Sequence, residues 1–292
     1  MMSMVHKRKR ISEIKNIGFI STRFAGTDGV SLETGKWVEV LEEMGYYCFY
    51  FAGELDTPET QSMLSPMAHF THPEISRISE YASNVRDALG ITTDEIFILQ
   101  PTRVVQRKGI EHSIELVRRL GTKGIKARLV ISHASGDEGD DYEARLREYS
   151  DLLGVNTLFV SDIIKDTRGK TKDGRKIYTL FDVYPHADLV TYPSVYEGFG
   201  NAFLEAVYFK KPILVNNYSI YLHDIKPKGF RVIEMNDYIK EETVDRVIDV
   251  LKNRSEIEKM ARKNYKIAKR FYSYANLRRK LRFILTDFFG EE

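Results

Sequence analysis

ADLVTYPSVYEGFGNAFLEAVYF, residues 187–209, is the stretch on which the reading of this sequence turns. Ala187 to Tyr192 are mostly apolar and rich in β-branched and aromatic side chains, the composition of a short buried strand. Pro193 has no amide hydrogen to give a central strand, so a loop starts there. Asn201 to Phe209 then carries apolar residues at helical spacing. Strand, glycine-containing loop and helix follow one another without a gap. Gly198 and Gly200 let the loop backbone come close to a ligand, and the amides that open the helix at Asn201 favour an anion, because they lack partners inside the helix and sit at its positive end. Two carboxylates flank that position, Glu197 on the loop and Glu205 one turn into the helix.

The same alternation continues on both sides. Strands are expected at Glu95 to Gln100, Ala127 to Ser132, Thr157 to Val160, Pro212 to Val215 and Phe230 to Ile233, with helices at Ile110 to Leu120, Asp140 to Leu153 and Ile177 to Tyr184. Short apolar strands separated by helices imply a parallel sheet covered on both faces. Ligands of such sheets bind beyond the carboxyl ends of the strands, so the loops after Gln100, Ser132, Val160, Tyr192 and Val215 share one rim. The first of these, Thr102 to Gly109, brings Arg103 and Lys108 to the rim. Arginine grips two oxygens at once and lysine acts as a point charge, a combination suited to a diphosphate that gains charge as its bond to a sugar breaks. His133, at the end of its strand, reaches the same rim and is a candidate donor contact.

Towards the amino terminus, Asn16 to Ser21 reads as a strand, Ala25 to Gly29 as a turn, and the next residues as a helix with Val30, Thr34, Trp37, Val38, Leu41 and Met44 on one face, closed by Gly45. Tyr47 to Phe51 supplies a second strand. Residues 54–75, with Pro58, Pro66 and Pro73, read as an irregular linker, and Ile75 to Leu89 as a helix. His69 and His72 lie in that linker and read as solvated or locally satisfied, with recruitment to the site as the alternative. Residues 1–15, including Lys7-Arg8-Lys9-Arg10, read as a solvated basic tail. At the other end Leu277, Leu281, Ile284, Leu285 and Phe288 form an apolar stripe opposite Arg278, Arg279, Lys280 and Arg282. Packing against the protein is the ordinary use of such a stripe; dimerisation or a membrane surface, through residues 276–289, is the alternative. Asp137, Glu138, Asp140 and Asp141 resemble a metal cluster but fall where a helix begins, where carboxylates favour the dipole in any case. The resulting division is a tail (1–15), a short amino-terminal domain with linker (16–75), a larger domain (76–270) and a carboxy-terminal amphipathic helix (271–292).

Composition narrows the function classes. Across 292 residues, 44 basic and 42 acidic side chains leave a net charge of +2, which gives no global electrostatic case for nucleic acid. The single cysteine, Cys48, allows neither a disulfide framework nor a cysteine metal site within one chain, and fits a reducing, cytoplasmic setting. No apolar run approaches the roughly 18 residues that a membrane-spanning helix needs.

The two motifs together resemble the carboxy-terminal domain of the large glycogen synthase-like family of retaining glycosyltransferases, group 1, over about Asp94 to Phe271. The family's two glutamates separated by seven residues match Glu197 and Glu205, and its arginine and lysine spaced by five match Arg103 and Lys108. The resemblance implies an α/β protein with two Rossmann-like domains of the GT-B type, the first truncated and the second a complete six-stranded parallel sheet. It further implies transfer of a hexose from a nucleoside diphosphate sugar to a sugar or small polar acceptor, with retention and without a metal or other cofactor. Arg103, Lys108 and Glu197 would be the catalytic group. Glu205 would bind the ribose hydroxyls, and Glu197 with the amides of Phe199 and Gly200 would hold the sugar and diphosphate, beside Gly198 and Asn201. The loop Gly26 to Val30 resembles the family's glycine-containing loop after the first strand, which assigns Gly29 to the donor; a plain turn capped by Asp28 is the other reading. One departure matters. A single strand-helix-strand unit stands where the family has a full first sheet, in the region of its acceptor contacts, so a module that binds nucleotide sugars without transferring them stays open beside the enzyme.

Overall fold

The computed structural model describes residues 16–26, 29–66, 80–135, 139–198, 200–273, 276–277, 279–281 and 283–284. The basic tail, His69, His72, Phe199, Asp137, Glu138 and the later part of the carboxy-terminal stripe lie outside the described residues. The chain divides between Ser83 and Asn84 into two compact units.

In the first unit β1 (Asn16–Ile20) and β2 (Tyr47–Ala52) are parallel, in register from Asn16 opposite Tyr47 to Ile20 opposite Phe51, and are joined through α1 (Gly29–Glu43). A third parallel strand, β3 (Ser62–Leu64), lies beside β2 inside the stretch expected to be irregular. Three residues between Pro58 and Pro66 are too few to carry a periodic signal, which is why the sequence reads as a linker there. The core is small: Phe24, Val38, Cys48, Tyr50 and Ala52, with Ile17, Phe19 and Leu41 packed against it. Val38 and Leu41 of the expected helix face do pack inward, whereas Trp37 is 61% and Met44 66% exposed. At 100° per residue these two sit at the edge of the stripe centred on Thr34, Val38 and Leu41, and a sheet this narrow does not reach them.

The second unit opens with α2 (Val85–Ala88). Of the helix expected over Ile75 to Leu89, residues 75–79 lie outside the described residues, and the rest is interrupted by a turn at Ser83 and Asn84, where the Asn84 carboxamide accepts from Lys176 Nζ and Tyr178 Oη, both at 3.0 Å. Six strands follow: β4 (Ile96–Gln100), β5 (Ala127–Ile131), β6 (Thr157–Phe159), and, after the two-residue hairpin strands β7 (Gly169–Lys170) and β8 (Lys176–Ile177), β9 (Leu189–Tyr192), β10 (Ile213–Asn216) and β11 (Ile233–Met235). The six main strands form one parallel sheet in the order β11-β10-β9-β4-β5-β6. Between them run α3 (Ile110–Thr122), α4 (Asp141–Leu152), α5 (Leu180–Val183) and α6 (Asn201–Tyr208); α7 (Glu241–Lys252) and α8 (Arg254–Tyr272) follow β11. Ile98, Leu129, Leu189 and Leu214 from four strands pack with Ile114 of α3 and Val247 of α7. Phe97, Leu99, Val130 and Val190, on the opposite face, are equally buried. Near-continuous burial is what a sheet covered on both sides requires, and explains the unbroken apolar runs in the sequence.

Two expectations are corrected here. The strand expected at Phe230 to Ile233 forms three residues later, because the Arg231 backbone is taken by a side chain: its amide donates to Asn264 Oδ1 and its carbonyl accepts from Asn264 Nδ2, each at 2.7 Å. The helix expected at Ile177 to Tyr184 starts only at Leu180. Thr179 caps it reciprocally with Asp182, the hairpin claims Ile177, and Pro185 tightens Tyr184 to His186 into a 3-10 turn.

Candidate active site

Strand order places the site. From β4 the chain steps outward to β5 and β6, then returns to lay β9 on the other side of β4, so the loops leaving β4 and β9 run in opposite directions and leave a crevice between them. A buried amide fixes the strand ends there. Gln100 Oε1 accepts from Thr191 Oγ1 at 2.8 Å and Ser113 Oγ at 3.0 Å, while its Nε2 donates to Thr102 Oγ1 at 2.9 Å. With donor and acceptor both satisfied, β4, β9, α3 and the loop after β4 are tied to one side chain.

The two loops then meet main chain to main chain. Gly109 sits at φ 59°, and a Cβ there would stand 2.7 Å from the Pro193 carbonyl oxygen, so only glycine permits the approach. The Val195 amide donates to the Arg107 carbonyl at 2.9 Å, and Asn216 Nδ2 donates to the Ser194 carbonyl at 3.2 Å from the end of β10. Glu197 is thereby brought to Lys108. The two side chains, 7% and 10% exposed, form an ion pair, and Arg107 Nη1 reaches the other Glu197 oxygen at 3.3 Å. Burial pushes the Glu197 carboxyl up, but Lys108 foremost, with the Ser194 and Tyr192 hydroxyls, brings it below its ordinary value, so it is ionised at neutral pH.

The remaining groups converge on the same space. Gly200 (φ 101°) precedes the first turn of α6, and Glu205, one turn in, accepts from Tyr184 Oη at 3.0 Å. Tyr184 is fully buried and stacks on Phe209 at 4.8 Å, which fixes the direction from which Glu205 is held. His133 Nδ1 lies 2.8 Å from Ser132 Oγ. Burial lowers the His133 pKa; Asp166 opposes this and the charges of Arg103 and Lys108 add to it, so the ring is neutral at neutral pH.

A cavity of about 470 Å³ joins Arg103, Lys108, His133, Glu197, Gly200, Asn201 and Glu205. Six further lining residues were not singled out in the sequence: Pro101, Thr102, Arg107, Leu180, Tyr192 and Ala202. Arg107 and Thr102 stand inside the loop already quoted, and only the turn of the backbone decides that Arg107 faces Glu197. Gly198 is exposed on the loop, and Gly29 begins α1 in the first unit. Asp140 and Asp141 are exposed at the start of α4. Leu277, Leu281 and Ile284 are about half exposed, at 50%, 49% and 46%. Among the described residues no helix is long and apolar enough to cross a membrane.

A six-stranded parallel sheet with a polar, cation-bearing crevice at its switch point is a Rossmann-like domain of the kind found in GT-B glycosyltransferases. The chain belongs to the glycosyl transferases group 1 family, whose description matches residues 82–267. Among curated proteins it is 34% identical over 175 residues to a mannosylglucosylglycerate synthase of Petrotoga mobilis, covering 54% of this chain and 40% of that protein. It is 29% identical over 225 residues to the mannosylglucosylglycerate synthase of Thermotoga maritima, covering 68% of this chain and 50% of that protein. The chain therefore spans half or less of the length of these relatives. Among solved structures, Anabaena HepE in complex with UDP-glucose superposes with a TM-score of 0.56 at 13% identity, over 92% of this chain and 72% of that one. Sucrose-phosphate synthase from Thermosynechococcus elongatus gives 0.53 at 13% identity, over 94% and 74%. Both are similar in fold.

Proposed function

We propose that the protein moves a hexose from a nucleoside diphosphate sugar to a sugar or small polar acceptor, with retention of anomeric configuration and without a metal ion. The observation that carries this reading is the gathering of Arg103, Lys108, Glu197, Glu205 and the start of α6 around one cavity at the β4/β9 crevice. Positive charge for the leaving diphosphate comes from Arg103, from Lys108 and from the amides at Asn201, all placed before the reaction. Glu205, held by Tyr184 through one oxygen, is the anchor for the ribose hydroxyls. Glu197 orients the sugar. Its pairing with Lys108 and Arg107 means that an incoming diphosphate shares those two cations with a carboxylate, which keeps the pocket from binding any phosphate tightly on charge alone. Retention rests on the family resemblance. The relatives' name makes a mannosyl donor and a glucosylglycerate acceptor the first pair to test, the donor foremost, because the matched residues 82–267 include this cavity.

A thermal-shift and calorimetric panel of nucleoside diphosphates and their sugars tests the donor site, since a ligand of the folded form alone raises stability by mass action. Glu205→Ala weakens nucleotide binding in this reading, whereas Lys108→Ala leaves binding measurable and slows donor cleavage by about 10²- to 10³-fold. Unchanged nucleotide affinity in Glu205→Ala would count against the assignment. Turnover in chelator reads metal dependence, and the anomeric configuration of the product reads retention. The three-stranded sheet of the first unit favours a second reading, a module that holds nucleotide sugar and transfers nothing; acceptor-dependent release of nucleoside diphosphate by the purified chain rules it out.

A further inference from the structure

Tyr192 ends β9 directly beneath the cavity, 1% exposed, and the proposed chemistry gives it no part. Three contacts converge on it. A Cβ on Gly200 would lie 2.7 Å from the Tyr192 phenol oxygen and 3.1 Å from two of its ring carbons, so the phenol rests against the bare Cα of the residue that precedes α6. Lys108 Nζ stands 5.8 Å from the centre of the same ring, within reach of the attraction between a cation and a π face. Tyr218 braces the ring edge-on from beyond β10, with centroids 6.1 Å apart. One side chain thus touches both halves of the proposed machinery, the loop that turns into the phosphate-facing helix and the lysine that pairs with Glu197.

We infer that Tyr192 is a positioning residue for the proposed transfer: its ring sets the height of the Gly200 turn and backs Lys108 at the cavity floor. Both contacts are made by one flat, rigid ring, which fills the space that a side chain on Gly200 would need and turns a π face towards the cation. An aliphatic side chain in its place would bury the end of β9 but offer Lys108 no such face.

The inference rests on the donor reading above, and its test separates the two. Tyr192→Phe keeps the ring under Gly200, so kcat and donor KM stay within about threefold of wild type. Tyr192→Leu removes the ring and raises donor KM about tenfold, because the start of α6 and Lys108 lose the surface they rest against, with a smaller change in kcat. Tyr221→Phe is the control for lost stability, since it deletes a buried hydroxyl elsewhere, one that donates to Glu234 Oε1 at 3.0 Å; it lowers Tm without changing donor KM. A wild-type protein that binds no nucleoside diphosphate and releases none sinks the donor reading itself. An active wild type whose Tyr192→Leu variant keeps donor KM, or whose Tyr192→Phe variant loses it as fully as Tyr192→Leu does, overturns the role given to the Tyr192 ring and leaves the donor reading standing.

Discussion

The two units of this chain solve the same problem to different degrees. Each is a parallel sheet with helical cover, yet β9 and β10 are buried from end to end and β4 at all but its first residue, whereas β1 alternates between half-buried and exposed positions. On the side of the small sheet away from Phe19 and Tyr50, Ile20 is 80% exposed and Met63, opposite Phe51, 57%. A parallel sheet has its full stability only when both faces are covered. The lesson is about where precision can be built. The groups proposed to hold the diphosphate stand at the edge of the doubly covered sheet, where packing on both faces fixes their neighbours.

The sharpest way to break that contrast is in the large core. Phe97 is fully buried, and Phe97→Ala should cost about 3–5 kcal/mol of stability. Phe19→Ala, which removes a half-buried ring from the small core, should cost about 1–2 kcal/mol. The protein's only tryptophan, Trp37, lies on α1, so its fluorescence follows the first unit while far-ultraviolet circular dichroism is dominated by the second. In urea, the first substitution should move the dichroism transition and leave the fluorescence transition in place; a single shared shift would mean that the units melt as one.

Acid provides a third, smaller lever. Glu115 on α3 is held down to about 2, first by Arg118 and then, against its own burial, by Arg119. A carboxylate lowered on folding stabilises the folded state fully above its unfolded pKa, and that contribution disappears as pH falls from about 4.5 towards 2. Glu115→Gln should flatten this part of the second unit's stability profile, read as Tm by dichroism at stepped pH. Weakest of all is the expectation for the exposed face: Ile20→Thr should change stability by no more than about 0.5 kcal/mol. A larger loss would show that this face is covered in solution.

How much of this was legible in the sequence follows the same division. The strands of the large sheet announce themselves because burial on both faces demands unbroken apolar runs, and proline or glycine marks their ends. β3 and the β7/β8 hairpin are too short to carry a period, and β11 shifted because Asn264, thirty-three positions away, claims the Arg231 backbone. At the site, spacing alone already grouped Arg103 with Lys108 and Glu197 with Glu205. Spacing says nothing of what holds them. The bond from Tyr184 to Glu205, the Arg107 contact to Glu197 and the Gln100 junction are side-chain meetings fixed by strand order. Tyr192 read simply as the last apolar residue of a strand, and its neighbour Gly200 as a glycine for ligand approach. That they belong to each other is a fact of three dimensions.

The Gly109 to Pro193 contact has a consequence for how such a pocket changes over generations. Its spacing is stitched by peptide groups, which no side-chain replacement in the cavity alters. In the proposed transfer, residues that choose a base or a sugar can then be exchanged one at a time without altering the distance between the cationic loop and the helix start. Gly109 itself is the position where that freedom ends.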